Sequence, residues 1–135
     1  IELKDMYNDD WSVGEGVSVE TLKGAVFKEI YKDDNFIMFK TDKGLIYQMY
    51  HAQDCCENVY IEDVCGDMED LLDSEILHFE ERTDSKGYVN DWESVTYTFY
   101  DIQTRKGCVN LRWCGSSNGY YSEAVDFVLR DLSKN

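Results

Sequence analysis

No proline occurs anywhere in the 135 residues, and no apolar run extends beyond a few positions. The first absence leaves turns to Gly, Asn and Asp, and leaves no strand short of a backbone donor. The second excludes a membrane-spanning helix. Basic residues are scarce too: 13 Lys and Arg stand against 28 Asp and Glu, a formal net charge of −15. That balance argues against gripping DNA, RNA or an anionic membrane through the net field. No positively charged, apolar-cored leader opens the sequence and no Met stands first, as expected of a trimmed chain.

What is present is a globular composition, 43% hydrophobic and 14% aromatic, far from the signature of disorder. The length suits one domain with a single core. Cysteines stand at Cys55, Cys56, Cys65, Cys108 and Cys114. An odd number with an adjacent pair fits a secreted disulfide framework poorly, so a reduced, cytoplasmic setting is expected. Cys55 and Cys56 are not expected to pair with each other, because a bridge between neighbours strains the peptide joining them.

Residues 1–16 read as an irregular N-terminal arm docked by Tyr7 and Trp11, and residues 17–135 as a single α+β domain. Ser18 can cap a short helical turn that ends at Gly24. Apolar runs at 26–31, 36–41 and 45–51, split by Asp33-Asp34-Asn35 and Asp42-Lys43-Gly44, predict an antiparallel meander. Residues 59–61 read as a short strand, 66–72 as a short helix, and Ile76 starts a strand running to Arg82. Thr83 to Asp91 reads as a long hairpin loop. Val95, Tyr97 and Phe99 alternate with Thr96, Thr98 and Tyr100; Val109, Leu111 and Trp113 alternate in the same way. Tyr120 to Leu132 closes the chain as a strand, a helix, or one then the other. The expected fold is α+β: one curved antiparallel sheet of about six to seven strands with one or two short helices.

The charge is concentrated. Fourteen acidic residues lie between Asp54 and Glu93, opposed by Arg82 and Lys86 alone. One reading is a solvated surface that keeps the protein soluble. A second is an anionic face that docks on a basic groove in place of nucleic acid, with Asp63, Asp67, Glu69, Asp70, Glu80 and Glu81 as its contacts. A third is a hard-cation site, though no D-x-D-x-D-G loop is present.

His51, Asp54, Cys55 and Cys56 lie close together, so His51, Cys55 and Cys56 form a weak zinc alternative; adjacent cysteines cannot easily reach one metal. Acidic surroundings work against a reactive thiolate there. The cysteines read instead as small buried residues at a tight turn, and His78, on an apolar run, as a core histidine. No metal or other cofactor is expected. Arg112, Asn118, Tyr120 and Tyr121 flank a flexible loop that could hold a nucleotide, with tyrosines stacking on the base. No Walker or G-x-G-x-x-G spacing supports it, and no G-x-S-x-G elbow supports a hydrolase.

The strings Gln53-Asp54-Cys55-Cys56-Glu57, Ile61-Glu62-Asp63-Val64, Gly66-Asp67, Asp70-Leu71, Tyr97-Thr98-Phe99-Tyr100, Arg112-Trp113 and Ser117-Asn118-Gly119-Tyr120-Tyr121-Ser122-Glu123 resemble a family of small phage and prophage proteins. The resemblance covers about residues 24–127. It implies a viral or mobile-element origin, a host bacterial cytoplasm as setting and an accessory role, and it transfers no catalytic residue. The expectation is therefore a non-enzymatic, counter-defence protein, an anti-CRISPR-like or nuclease inhibitor. Its partner would be a host protein with a basic surface, with no direct nucleic acid or membrane contact and room for a homodimer. The alternatives are a nucleotide-sequestering protein and a zinc-stabilised interaction module.

Overall fold

The computed structural model describes residues 2–8 and 14–130. Trp11 lies outside the described residues. The meander expected near the start is present as β2 (Phe27–Lys32), β3 (Phe36–Thr41) and β4 (Ile46–Tyr50). A short β1 (Gly14–Gly16), inside the stretch expected to be irregular, and a C-terminal β9 (Asp126–Arg130) complete the first sheet. Its order is β1-β9-β4-β3-β2. The second sheet comprises β5 (Asn58–Cys65), β6 (His78–Tyr88), β7 (Ser94–Gln103) and β8 (Cys108–Ser117), in the order β5-β8-β7-β6. All strand pairs in both sheets are antiparallel.

The α+β expectation is overturned. The described helical pieces are 3₁₀ turns of four residues, at Leu3–Met6, Val19–Leu22 and Met68–Leu71. Nine strands in two sheets replace the single curved sheet of six or seven. The acidic start at 66–72 does suit a helix, and the Asp67 carboxylate accepts from the Glu69 amide at 2.9 Å. The chain nevertheless leaves the helix after one turn, because Leu72 is drawn into a bridge beside Phe27. The hairpin loop expected at 83–91 is mostly strand. As an edge strand, β6 can stay polar and still pair with β7 as far as Tyr88. The turn at Ser18 forms as expected, with Ser18 Oγ accepting from the Glu20 amide at 3.3 Å.

One core joins the two sheets. Phe27, Ile37, Phe39, Met49 and Phe127 from the first meet Phe79, Tyr100, Ile102, Leu111 and Trp113 from the second. Phe79 bridges them, its ring centroid 6.2 Å from Phe39 and 5.8 Å from Phe127. Register explains which face of β7 turns inward. Thr98 lies opposite Trp113 and Thr96 opposite Gly115, so small side chains leave room for the indole. The outer side of the first sheet is covered by the N-terminal segment: Leu3 packs on Met38 and Ile46, and Tyr7 stacks on Phe36 at 3.9 Å.

Gly66 sets where β5 ends. Its φ is +109°, and a Cβ there would run into the Cys108 carbonyl of β8. Gly66→Ala is expected to lower the unfolding free energy by about 1–3 kcal/mol, read by urea denaturation.

Candidate functional site

Alternation along the second sheet places Phe79, Tyr100, Ile102, Val109, Leu111 and Trp113 inward and their neighbours outward. On the outer face, cross-strand rows can be read from the register. Arg82, Phe99, Arg112 and Asp63 form one row, and Asp84, Tyr97, Cys114 and Tyr60 the next. Glu80, Asp101, Asn110 and Cys65 form a third. The Arg82 guanidinium sits 4.4 Å from the centre of the Phe99 ring, and the Tyr97 and Phe99 centroids are 6.4 Å apart. Arg112 reaches Glu62 at 2.8 Å. Tyr60, Tyr97, Phe99 and Arg112 are half-buried and Arg82 is exposed, and among the described residues no strand or helix lies over them. Sequence reasoning missed this face. Its signal was that both sides of β7 carry aromatic residues, where a strand with one solvated face needs only one such side.

The residues expected to contact a partner are only partly gathered. Glu80 stands on the outer face, beside Asp101. Asp63 is exposed at the β5 bulge, and Asp67, Glu69 and Asp70 follow in the turn after β5, near the β7–β8 connection, where the Thr104 hydroxyl donates to the Asp70 carbonyl at 2.5 Å. Glu81 points to the opposite side of β6 from Glu80 and accepts from the Tyr100 hydroxyl at 2.7 Å. The chain also neutralises some of its own acids, Asp73 by Lys28 at 2.8 Å and, on the outer face, Asp84 by Lys86 at 2.8 Å.

The Cys/His string forms a latch. Glu57 is buried, and each carboxylate oxygen accepts two hydrogen bonds. Oε2 takes His51 Nε2 at 2.9 Å and the Asp54 amide at 3.1 Å; Oε1 takes the Cys55 amide at 2.9 Å and the Gln53 amide group at 3.1 Å. Burial alone would raise its pKa, but the bonds from His51 and the backbone outweigh it and hold the carboxyl at about 2. His51 Nδ1 meets the Ala124 carbonyl at 2.6 Å. Both ring nitrogens therefore face acceptors. Cys55 and Cys56 are exposed rather than buried, and they are bonded to each other, against expectation. Of the weak zinc alternative, His51 is held between Glu57 and the Ala124 carbonyl, and the sulfurs of Cys55 and Cys56 are bonded to each other. With no spare capacity on Glu57, the dyad is also poorly placed as an acid–base pair.

Nor are the nucleotide-binding candidates assembled. Arg112 lies on the outer face and is engaged by Glu62. The loop after β8 folds the other way: Glu123 packs against Gly115 and accepts from Thr96 at 2.7 Å, on the inward side of β7. Tyr121 follows it there, lining a cavity of about 410 Å³ with Thr83, Ser94 and Thr96. Asn118 and Tyr120 are exposed.

His78 is not in the core. It is a half-buried outer-face residue, its Nε2 lying 3.1 Å from Glu80 and 3.7 Å from Asp101. Cys108, one strand further on, donates to Asp101 Oδ1 at 3.2 Å. Partial burial, then Asp101, push the Cys108 thiol up, which keeps it protonated and unreactive.

A family model for a domain of unknown function, DUF7448, matches residues 15–127, from β1 into β9. The chain belongs to that family. No curated protein and no solved structure matches it. The family membership covers both sheets and the outer face described above. No helix among the described residues is long and apolar enough to cross a membrane.

Proposed function

We propose that this DUF7448 protein is a non-enzymatic binding protein whose second sheet docks, by its outer face, on a basic surface of a partner protein. One observation carries the reading: an aromatic and arginine centre, Tyr60, Tyr97, Phe99, Arg82 and Arg112, is left uncovered among the described residues. Protein interfaces favour that composition, with Tyr and Arg at the middle and polar groups around them. Here the surround is acidic: Asp63 and Glu80 stand on the face, and Asp67, Glu69 and Asp70 lie in the turn that follows β5. A partner of opposite charge is thereby selected, and a surface that otherwise holds nucleic acid has the required sign. An inhibitor of a host nuclease or similar defence factor, encoded by a phage, is the biological role this chemistry fits. Glu81, facing the other way, has no part in it.

Capture from bacterial lysate tests the proposal. Basic proteins retained at about 0.05 M salt should be released by about 0.5 M, because the steering charges are exposed and screened. Two variants divide the surface: Tyr97→Ala with Phe99→Ala, and Asp67→Asn with Glu69→Gln and Asp70→Asn. The first should abolish retention and the second should weaken it about tenfold with a flatter salt dependence. Retention that ignores both variants, or that salt leaves untouched, overturns the reading.

A further inference from the structure

From the row at the β7–β8 end of the same face we infer that His78, Glu80 and Asp101 form a site for a divalent transition-metal ion of the zinc class. The strand period puts His78 and Glu80 on one side of β6, and Asp101 stands directly opposite Glu80 on β7. Like charges facing each other across a ladder are destabilising, so this pair needs a cation. None of the chain's own lysines or arginines supplies it among the described residues: what lies beside both carboxylates is the Nε2 of His78. Arg82, the nearest basic side chain along β6, lies over Phe99 instead. One donor atom from each of the three side chains falls within 4.8 Å of the others. His78 Nε2 is 3.1 Å from Glu80 Oε2 and 3.7 Å from Asp101 Oδ2.

Those separations suit coordination. An ion about 2.0–2.2 Å from each donor sets neighbouring donors roughly 3–3.5 Å apart, so small rotamer changes in these side chains close the site. One imidazole and two carboxylates are borderline donors, which favours zinc and its neighbours over calcium or magnesium. Three protein ligands leave a position for solvent or for a donor from a bound partner. Asp101 is oriented from behind, Oδ1 by the Cys108 thiol at 3.2 Å and Oδ2 by the Gln103 amide at 3.2 Å.

Calorimetric titration of EDTA-stripped protein with zinc chloride, the Cys55–Cys56 bond left intact, tests the site. One ion per chain should bind with saturable heat, and the Cys65→Ser variant should keep that binding. His78→Ala and Asp101→Asn should each weaken it about tenfold or more. Both replaced groups are solvent-facing, so circular dichroism should show an unchanged fold. Absence of saturable binding in the unaltered protein overturns the inference. So does affinity that survives His78→Ala in a folded protein, which would place the ion on the thiols. Partner binding is not involved in this measurement, so its outcome is independent of the docking proposal.

Discussion

Glu57→Ala is expected to lower the unfolding free energy by about 3–5 kcal/mol, since it removes a buried carboxylate and leaves the buried donors that bond it unsatisfied. The substitution strands three donors at once, the His51 ring and the backbone amides of Asp54 and Cys55, while the Gln53 amide keeps the residue-57 carbonyl at 2.6 Å. Because His51 also holds the Ala124 carbonyl, the loss reaches the approach to β9. The same residue sets a pH dependence. Its folded-state pKa, about 2, lies below the ordinary 4.5, so the stability it contributes is fully present above about pH 4.5 and is lost as the pH falls toward 2. Urea midpoints measured between pH 6 and pH 2.5 should fall in that window for the unaltered protein. Glu57→Gln should start lower and show a shallower fall. A parallel pair of curves would show that another carboxyl carries the acid sensitivity.

Trp113→Ala is expected to cost a comparable amount, about 3–5 kcal/mol. The indole is fully buried at the middle of β8, between Ile61 of β5 and Thr98 of β7 in the register. Neither neighbour can refill the space, since Thr98 is small and Ile61 is fixed by its own strand. Chemical denaturation should show a reduced midpoint with an unchanged slope, provided the unfolded state is unaffected. Phe99→Ala, one residue along β7 and on the outer face, should cost much less. The contrast would confirm which face is core.

That contrast also shows where sequence reading succeeds and where it stops. Strands β2, β3, β4, β7 and β8 are legible because their apolar runs are bounded by Asp-Asp-Asn, Asp-Lys-Gly and Arg-Lys-Gly turns. The far half of β6 is not, because an edge strand of Thr, Asp, Ser, Lys and Gly has no hydrophobic pattern. It exists only through its ladder with β7. The 66–72 segment carries a good helix start, but the decisive contact, Leu72 beside Phe27, joins residues 45 apart in the chain. Local propensity contains no trace of it. Of the candidate site, the acidic character was plain, while the opposed directions of Glu80 and Glu81 follow only from their places in a strand. His78 misled because Ile76, Leu77 and Phe79 surround it in sequence, although alternation sends it outward with Glu80.

The position of β9 has a consequence for biosynthesis. It lies between β1 and β4, so the last described strand is an interior member of its sheet. Arg130 at its end also donates to the Met6 carbonyl and to Gln48. While a ribosome still holds this segment, β4 has an unpaired edge and β1 has no partner. The earlier strands can then form hairpins on the nascent chain, but the sandwich closes only after Asp126–Arg130 has emerged.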